Sequence, residues 1–357
     1  MLSVFPTFAV GGAQVRFVRL AAAFGSAWRH AVIAMDGVRE CAERLPRDLA
    51  VTFPEVSVAK GDVIGNVRRF RALLRALQPD LLVTHNWGSI EWAMANLLPV
   101  ARHVHIEDGF GPEERARQLP RRVWTRRVVL RRATVVLPSR TLERLARKVW
   151  RLPGERVLYL PNGIDLARFT PRAPSPLPAE PVIGTVAVLR AEKNLGRLLR
   201  AVAIARARRP VRLEIVGDGP ERAELERLAG ELGIAEAVTF HGRQAHPAPF
   251  YARFDLVALS SDTEQMPMCV LEGMASGLPV VSTDVGDVRA MVAAENAALI
   301  VPKDEAALAE AILRVLDDDA LRRRISTANR AKAEAEFDER VMIERYRRLF
   351  AGEIGHW

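Results

Sequence analysis

A proline-rich segment divides this chain into two halves that repeat the same alternation of strand and helix patterns. Five prolines follow Thr170 within residues 169–181, where neither helical nor strand periodicity is present. Proline fixes its own φ angle and disfavours a helical conformation at the residue before it, so this segment should be extended. Short apolar runs alternate with helical patterns on both sides of it, which favours parallel sheets covered by helices.

The predicted fold class is therefore α/β, with two doubly wound, Rossmann-like domains. At 357 residues the chain is too long for one ordinary core. In such sheets ligands bind at the carboxyl ends of the strands. The predicted parts are an N-terminal domain (1–165), a proline-rich linker (166–181), a C-terminal domain (182–337) and a C-terminal helix (338–357) that packs back on the first domain.

The net charge of +9 is concentrated in one part of the chain. Residues 101–160 contain fifteen Lys and Arg residues and six Asp and Glu residues, so this segment alone has a net charge of +9. No apolar run approaches the roughly 20 residues needed to span a bilayer. Cys41 and Cys269 lie far apart without metal-binding or redox spacing, which is typical of a reduced, cytoplasmic protein.

Glu264 and Glu272 flank Pro267 within the most informative stretch of the second half. Proline is tolerated in the first turn of a helix, so Glu264 should lie in the loop before the helix and Glu272 inside it. The backbone N–H groups of Met268, Cys269 and Val270 would then form an anion site at the helix N-terminus. Two surface acids are the alternative interpretation.

Arg190 and Lys193 follow an apolar strand pattern, three residues apart. Two cations in this position can hold a diphosphate without a metal ion. A solvated pair of loop charges is the alternative. The sequence contains only five lysines, which makes Lys193 the more informative of the two.

Glycine turns and one histidine follow other strands. Gly11 and Gly12 precede a helix and would let the backbone approach a phosphate or a sugar. Gly217 favours a tight turn that reaches the nucleotide through its backbone, and His241 is a candidate to flank a base. For each of them an ordinary structural role is the alternative.

A cluster of histidines and acids follows a strand in the first half. His105 and Asp108 belong to it and suit the polar wall of a catalytic cleft. The cluster lacks a convincing third metal ligand, so we predict no metal site.

Residues 115–132 combine arginine pairs with a tryptophan and aliphatic residues. A basic helix of this kind is typical of an anionic membrane surface, whereas the alternative is the solvated face of a core helix. We predict no nucleic-acid partner, because aromatic residues are few and no recognised binding motif is present. The predicted membrane or acceptor contacts are Arg121, Arg122, Trp124, Arg126 and Arg127.

In this order, these residues resemble the family 4 glycosyltransferases of GT-B fold over nearly the whole chain. The two most specific features are the sequence Pro161-Asn-Gly-Ile-Asp165 and the spacing of Glu264 and Glu272, which belongs to the E-x7-E pattern. Further matches are His85-Asn-Trp-Gly88, Pro138-Ser139, Gly217-Asp-Gly-Pro220 and Gly277-Leu-Pro279.

The resemblance implies two Rossmann-like domains facing each other across a cleft, and a retaining transfer from a nucleotide-sugar donor without a required metal or other cofactor. Arg190 and Lys193 would neutralise the leaving diphosphate, Glu272 would hold the ribose and Glu264 the donor sugar. The acceptor, a lipid-linked or cell-surface saccharide, would bind mainly to the first half. The protein would then work in the cytoplasm, peripherally at the inner face of the cell membrane.

Three places depart from the family pattern. Gln265-Met-Pro267 replaces a glycine-rich sequence that often follows the first glutamate, and Gly286-Asp287 replaces the usual pair of glycines in the next loop of the second domain. Asp108 occupies the position of a family histidine. A non-catalytic homologue that binds a sugar nucleotide or a membrane, or a nucleotide-sugar epimerase of the same fold, therefore remains an alternative.

Overall fold

The computed structural model describes residues 1–114, 117–173 and 175–353 and divides the chain into two compact units. The first unit comprises Met1–Pro161 and the chain from Met342 onward, and the second comprises Asn162–Val341. Pro174 of the predicted linker, Arg115 of the predicted basic segment and residues 354–357 lie outside the described residues.

The first unit contains a seven-stranded parallel sheet with the order β3-β2-β1-β4-β5-β6-β7. Its strands are β1 (Leu2–Phe5), β2 (His30–Ala34), β3 (Val51–Thr52), β4 (Leu81–His85), β5 (Arg102–Ile106), β6 (Thr134–Leu137) and β7 (Val157–Tyr159). Its helices are α1 (Gly12–Phe24), α2 (Val63–Leu77), α3 (Ile90–Ala95), α4 (Pro120–Val129) and α5 (Arg140–Lys148).

The second unit contains a six-stranded parallel sheet with the order β10-β9-β8-β11-β12-β13. Its strands are β8 (Val182–Val186), β9 (Arg212–Val216), β10 (Val238–Phe240), β11 (Leu256–Leu259), β12 (Val280–Thr283) and β13 (Ile300–Val301). The helices are α6 (Leu195–Arg206), α7 (Arg222–Glu231), α8 (Ala248–Tyr251), α9 (Met268–Ala275), α10 (Val288–Met291), α11 (Glu305–Asp317), α12 (Asp319–Glu336) and α13 (Glu339–Ala351), the last of which runs into the first unit.

The strand order of each sheet reverses at one point, between β1 and β4 in the first unit and between β8 and β11 in the second. Loops that leave the carboxyl ends of such neighbouring strands diverge and leave a crevice where ligands bind. The loops that carry Arg190 and Lys193 and Glu264 follow β8 and β11, so the fold places these charges at the reversal point of the second sheet.

The apolar side of α13 packs on the sheet of the first unit. Met342, Tyr346, Leu349 and Phe350 are buried with residues of β4 and β5. Arg102, at the start of β5, donates hydrogen bonds to the carbonyl oxygens of Leu349 and Phe350. The arginine therefore caps the end of α13, whose last carbonyl groups have no partner within the helix.

The proline-rich segment lies along the second unit. Arg172 forms an ion pair with the buried Asp255, and Arg322 donates a hydrogen bond of 2.9 Å to the carbonyl oxygen of Ser175. Pro171 lies so close to Gly277 that a Cβ atom on Gly277 would approach its ring to 3.0 Å. The described part of residues 169–181 contains no helix or strand.

Candidate active site

An ion pair between Lys193 and Glu264 joins the loops after β8 and β11. Lys193 Nζ lies 2.6 Å from Glu264 Oε1, and Ser261 Oγ donates a hydrogen bond of 2.8 Å to the same oxygen. The two charged side chains keep 21% and 11% of their surface exposed. Hydrogen bonding to Ser261 thus fixes the ion pair, while both charged side chains remain accessible to a ligand.

Asn194 and Asp262 link the loop after β8 to the loop after β11. Asn194 has a left-handed backbone (φ 43°) and caps α6, and its amide donates hydrogen bonds of 3.1 and 3.3 Å to Asp262. Ser260 Oγ donates to the carbonyl oxygen of Lys193 at 3.1 Å, and the backbone of Asp262 donates to that of Glu192 at 2.9 Å. Lys193 therefore sits on a fixed frame.

Arg190 lies at the solvent-exposed start of the same loop. Its Nε atom is 3.5 Å from Glu192 Oε1, and 54% of its side chain is exposed. A guanidinium in this state keeps donors for an anionic ligand, because a weak exposed pair is easily exchanged.

Glu272 is oriented by a buried tyrosine that the sequence did not reveal. Tyr251, the last residue of α8, donates a hydrogen bond of 2.6 Å from its hydroxyl to Glu272 Oε2. Burial, followed by the proximity of Glu272, raises the pKa of Tyr251 well above its usual value, so the hydroxyl keeps its proton and acts as a donor. This contact fixes the rotamer of the carboxylate.

Helix α9, which contains Glu272, begins at Met268, with Pro267 as its N-cap in an extended conformation. Its first turn contains Met268, Cys269 and Val270, as the sequence predicts, and the N–H of Val270 donates to the carbonyl oxygen of Pro267 at 3.2 Å. Burial raises the pKa of the Cys269 thiol to about 12, so the thiol is neutral. The positive end of the helix dipole is then the local feature that attracts an anion.

Gly286 allows a third loop to pack against Glu264. Its φ angle is 54°, and a Cβ atom there would lie 2.5 Å from the carbonyl oxygen of Glu264 and 2.7 Å from that of Gln265. The neighbouring Asp287 N–H donates to the same Gln265 carbonyl at 3.0 Å. The backbone of Gln265, which departs from the family pattern, is therefore fixed by its hydrogen bond to Asp287.

Gly217 and His241 meet where β9 and β10 end. Gly217 has a φ angle of 144°, a Cβ atom there would lie 1.8 Å from the carbonyl oxygen of Ala187, and its N–H donates to Gly242 at 2.9 Å. His241 Nε2 lies 3.1 Å from Glu214 Oε2. Gly217 is thus required for close backbone packing, and the ring of His241 already has an acidic partner.

In the first unit, Asp108 is held by Arg16 of α1. The guanidinium donates two hydrogen bonds, of 2.7 and 2.9 Å, to the two oxygens of Asp108. Burial lowers the pKa of Arg16, but the ion pair with Asp108 raises it more, and the guanidinium stays charged. The N–H of Asp108 donates to Asn86 Oδ1 at 2.7 Å, and one fifth of the Asp108 side chain is exposed.

Gly11 and Gly12 begin α1 after β1. Gly11 is the N-cap residue with an extended backbone, and a Cβ atom on it would lie 2.7 Å from Gln14 Oε1. A Cβ atom on Gly12 would meet nothing within 4 Å. Gly12 therefore leaves open space beside the start of the helix, which a ligand could occupy.

The structure corrects the expectation that His105 lines a ligand-binding wall. His105 is completely buried inside the sheet, where its Nδ1 lies 2.8 Å from Thr84 Oγ1. Thr84 Oγ1 is also 2.8 Å from His103 Nε2, and His105 Nε2 lies 3.7 Å from the buried Glu107. His105 is therefore enclosed between Thr84 and Glu107 and does not reach a ligand.

The expectation that Arg122 and Arg126 form a membrane-facing surface is also wrong. Both are buried on the inner side of α4, four residues apart. Arg126 pairs with Glu114 at 2.9 Å and with Glu107 at 3.3 Å, and its guanidinium lies about 5 Å from the rings of three aromatic residues. These rings are Trp87, Phe110 and Trp150.

The exposed side of α4 retains only part of the predicted surface. Arg121 and Trp124 are exposed, the latter at 65%, and Val128 lies beside them at 41%. Arg127 is half-buried and donates to the carbonyl oxygens of Trp150 and Val149. Within residues 1–114, 117–173 and 175–353, no helix is long and apolar enough to span a bilayer, and no group of three or more His, Cys, Asp or Glu side chains has the arrangement of a metal site.

Two family models match consecutive parts of this chain. A model for family 4 glycosyltransferases matches residues 10–168, and a model for group 1 glycosyl transferases matches residues 180–318. Together they cover every strand of both sheets except β1, as well as Lys193, Glu264 and Glu272.

Several named proteins are similar in sequence. A D-inositol 3-phosphate glycosyltransferase from Corynebacterium urealyticum is 30% identical over 349 residues, which cover 86% of this chain and 77% of that protein. A lipopolysaccharide core biosynthesis glycosyltransferase, LpsD, from Rhizobium meliloti is 32% identical over 52% of this chain, and the match covers 56% of LpsD. An exopolysaccharide phosphotransferase from Streptomyces coelicolor is 31% identical over 81% of this chain, but the match spans only 30% of its length.

The fold is shared with solved structures. The Anabaena protein HepE in complex with UDP-glucose has a TM-score of 0.81 and 20% identity, and the alignment covers 99% of each chain.

Proposed function

Because the chain belongs to the family 4, group 1 glycosyltransferases and has their GT-B fold, we propose that it transfers a sugar, with retention of configuration, from a nucleotide-sugar donor to a hydroxyl group of a lipid-linked or cell-surface saccharide. The observation that carries this proposal is the Lys193–Glu264 pair, fixed between two loops at the reversal point of the second sheet and beside the N-terminus of α9.

The second unit holds the donor in this proposal. Lys193 and Arg190 balance the negative charge of the diphosphate, which grows as the bond to the sugar breaks. Glu264 now neutralises Lys193 at 2.6 Å. When the diphosphate takes over Lys193, Glu264 becomes available to accept a hydrogen bond from a hydroxyl of the donor sugar.

The carboxylate of Glu272 accepts hydrogen bonds from the hydroxyl groups of the ribose. Tyr251 donates to Oε2 at 2.6 Å and holds the carboxylate in one orientation, which lowers the entropy lost when the donor binds. The backbone turns at Gly217 and Gly286 keep the surrounding loops close to this position.

The reaction needs no nucleophile from the enzyme. The acceptor oxygen attacks the anomeric carbon on the face from which the phosphate departs, the bond from carbon to phosphate oxygen breaks, and the departing phosphate oxygen takes the acceptor proton. The products are the glycosylated acceptor and a nucleoside diphosphate. Positioning and charge stabilisation supply the rate enhancement, and no metal ion is required in this scheme.

The acceptor binds to the first unit in this proposal, where Asp108, fixed by Arg16, presents a partly exposed carboxylate to its hydroxyl groups. An acceptor of the cell envelope is supported by one relative that is named a lipopolysaccharide core biosynthesis glycosyltransferase and by another that is named an exopolysaccharide phosphotransferase. Arg121, Trp124 and Val128 would contact an anionic membrane, so that the protein works at the inner face of the cell membrane.

The test measures donor turnover by the purified protein. A set of UDP-, GDP- and ADP-sugars is screened by thermal shift, because a ligand that binds only the native state raises the melting temperature. Hydrolysis and transfer are then measured with the donor that binds. Lys193→Ala and Glu272→Ala should each lower kcat/KM by ~100-fold or more, as expected when a preorganised charge is removed.

Lys332→Ala and Glu334→Ala are the matched controls. Both residues lie on α12, where Lys332 pairs with Glu336 and Glu334 pairs with Arg330. The activity of both control variants should equal that of the wild type. Donor binding without turnover on any acceptor would favour the non-catalytic alternative. A changed sugar in the absence of an acceptor would favour the epimerase.

A further inference from the structure

A cavity lies in the first unit, at the amino ends of β5 and β6. Its volume is about 190 Å³. The ends of α3 and α4 and residue Leu349 of α13 close it. Gly11 and Asp108 belong to loops at the carboxyl ends of strands, so this cavity opens at the opposite edge of the sheet and is separate from the candidate active site.

Among the residues that the structure describes, three arginines line this cavity, and no aspartate or glutamate does. They are Arg102, Arg132 and Arg156. Arg102 is fixed through its hydrogen bonds to the end of α13. Within the described part of the chain, the side chains of Arg132 and Arg156 form no hydrogen bond or ion pair. Two guanidinium groups at the wall of a partly enclosed space therefore have their donors available.

Most acidic residues of this region pair with other arginines, and among the described residues Asp80 is the one acid that lines either this cavity or its neighbour. Glu107 and Glu114 are buried with Arg126, Asp108 is bound to Arg16, and Glu143 bonds Arg140 and Arg147 on α5. Asp80 lies near Arg102, because both residues line a neighbouring, more open cavity together with Arg75. One carboxylate thus faces four guanidinium groups across the two cavities, which accounts for part of the positive charge concentrated in residues 101–160.

We propose that this cavity binds a phosphate group, carried by a soluble phosphate ester or by a lipid headgroup. Arg132 and Arg156 are its ligands, and Arg102 is a fixed third cation. Guanidinium groups bind phosphate oxygens through short, charge-assisted hydrogen bonds. A cavity of about 190 Å³ exceeds the ~30 Å³ of a water molecule several times, which is enough for a phosphate and a small organic substituent.

The lining also fits an organic substituent. Leu97, Val129 and Leu349 supply apolar surface beside the arginines. His103 is neutral, because burial lowers its pKa to about 3. A bound phosphate would connect the end of α4, the start of β7 and, through Arg102, the end of α13, and so would stabilise the first unit as a whole.

Inorganic phosphate is the first probe. We expect it to raise the melting temperature of the wild type above that in chloride of equal ionic strength. The double variant Arg132→Gln/Arg156→Gln should bind phosphate ~10- to 100-fold more weakly, since hydrogen bonds to charged groups are lost. Arg131→Gln/Arg324→Gln removes the same charge at two exposed positions outside the cavity and should behave as the wild type.

Lys193→Ala separates this cavity from the candidate active site, because it removes a cation there and should leave the phosphate response unchanged. If Lys193→Ala abolishes the response and Arg132→Gln/Arg156→Gln does not, phosphate binds at the active site and the proposal is overturned. Equal responses of the Arg132/Arg156 variant and its control would overturn it as well.

Vesicles identify the source of the phosphate. Binding to phosphatidic acid vesicles but not phosphatidylcholine vesicles, lost in Arg132→Gln/Arg156→Gln and competed by inorganic phosphate, would assign a lipid headgroup. A different result would assign a soluble ester. In that case Arg132→Gln/Arg156→Gln and its control Arg131→Gln/Arg324→Gln bind phosphatidic acid vesicles equally, whereas glycerol 3-phosphate stabilises only the control. Proposed donor turnover is independent of either result.

Discussion

The two units have the same kind of parallel sheet, but they bury different chemistry. The first buries charged and titratable side chains beneath and beside its sheet, whereas the core clusters of the second are largely aliphatic. In the first unit these side chains are Arg16, His30, His85, His105, Glu107, Glu114, Arg122 and Arg126. In the second unit the buried charged side chains are Asp255, Asp287 and Arg322.

This difference separates two uses of charge. In the second unit the ion pair that matters most, Lys193–Glu264, lies at a loop edge and stays accessible, so a ligand can replace one partner. In the first unit Arg126 and its two glutamates are sealed beneath three aromatic rings. Such a group contributes to a specific packing arrangement and makes the unit sensitive to the loss of any member.

Arg126→Ala is the strongest test of this contrast. It leaves Glu107 and Glu114 buried without their cation, and we expect a loss of roughly 3–5 kcal/mol in the free energy of unfolding. The described tryptophans, at positions 28, 87, 92, 124 and 150, all lie in the first unit, so their fluorescence during urea denaturation follows that unit.

Arg121→Ala removes the same charge from the exposed side of α4 and should change the free energy by less than ~0.5 kcal/mol. If both variants lose the same amount, the buried cluster has no special contribution, and the contrast between the units fails.

Acid should destabilise the first unit selectively. Burial lowers the pKa of His30 to about 4 and that of His103 to about 3, both below the usual 6.5. The unfolded chain therefore binds more protons in this range, so the stabilising contribution is complete above pH 6.5 and is lost as the pH falls toward the folded values. At pH 5 each of these histidines should contribute a loss of roughly 2 kcal/mol.

His30→Leu provides the check, because neither ring nitrogen of His30 has a hydrogen-bond partner among the described residues. The variant should unfold at a lower pH than the wild type, as followed by tryptophan fluorescence. His246→Gln, on the surface of the second unit, should follow the wild-type curve, and a shift of equal size there would contradict the interpretation.

Gly286→Ala tests the accessible site of the second unit. A left-handed backbone and a Cβ atom 2.5 Å from the carbonyl oxygen of Glu264 make alanine strained there. We expect a loss of about 2 kcal/mol, together with weaker donor binding as Glu264 shifts. Gly230→Ala is its control, since that position lies in α7 with nothing within 4 Å, and it should gain up to ~1 kcal/mol.

Tyr251→Phe should have the smallest effect. Without the hydroxyl, Glu272 loses its buried donor, and the KM for the donor should rise about tenfold, with kcat little changed, because the affected contact binds the ground state and the transition state alike. Tyr159→Phe in the first unit is the matched control. A fall in kcat at unchanged KM would show that Glu272 acts in the chemical step instead.

Much of the fold could be predicted from the sequence because its signals are local. Alternating apolar and helical patterns predicted two parallel sheets, and Pro267 predicted a helix start within one residue of the observed one. The placement of Lys193 and Glu264 after two strands was also predictable, and their contact follows from the reversal of strand order between β8 and β11.

The two errors have a common cause. Arg122 and Arg126 belong to basic pairs that look solvated in sequence, but their spacing of four puts them on one side of α4, and their acidic and aromatic partners come from other loops. His105 lies near the end of a central strand, where the sequence predicts access to a ligand, yet both faces of such a strand are covered and His105 is buried. Only the packing of distant segments decides such burial.

The sequence by itself determined the alternation of strands and helices, the positions of the acids and cations after particular strands, and the family resemblance, because each depends on residues close together in the chain. The tertiary structure decided which charges are buried and which remain accessible. It brought Tyr251 to Glu272, Arg16 to Asp108 and Arg132 to Arg156 across long stretches of chain, since contacts between distant residues depend on the strand order and on the packing of the helices against the sheets.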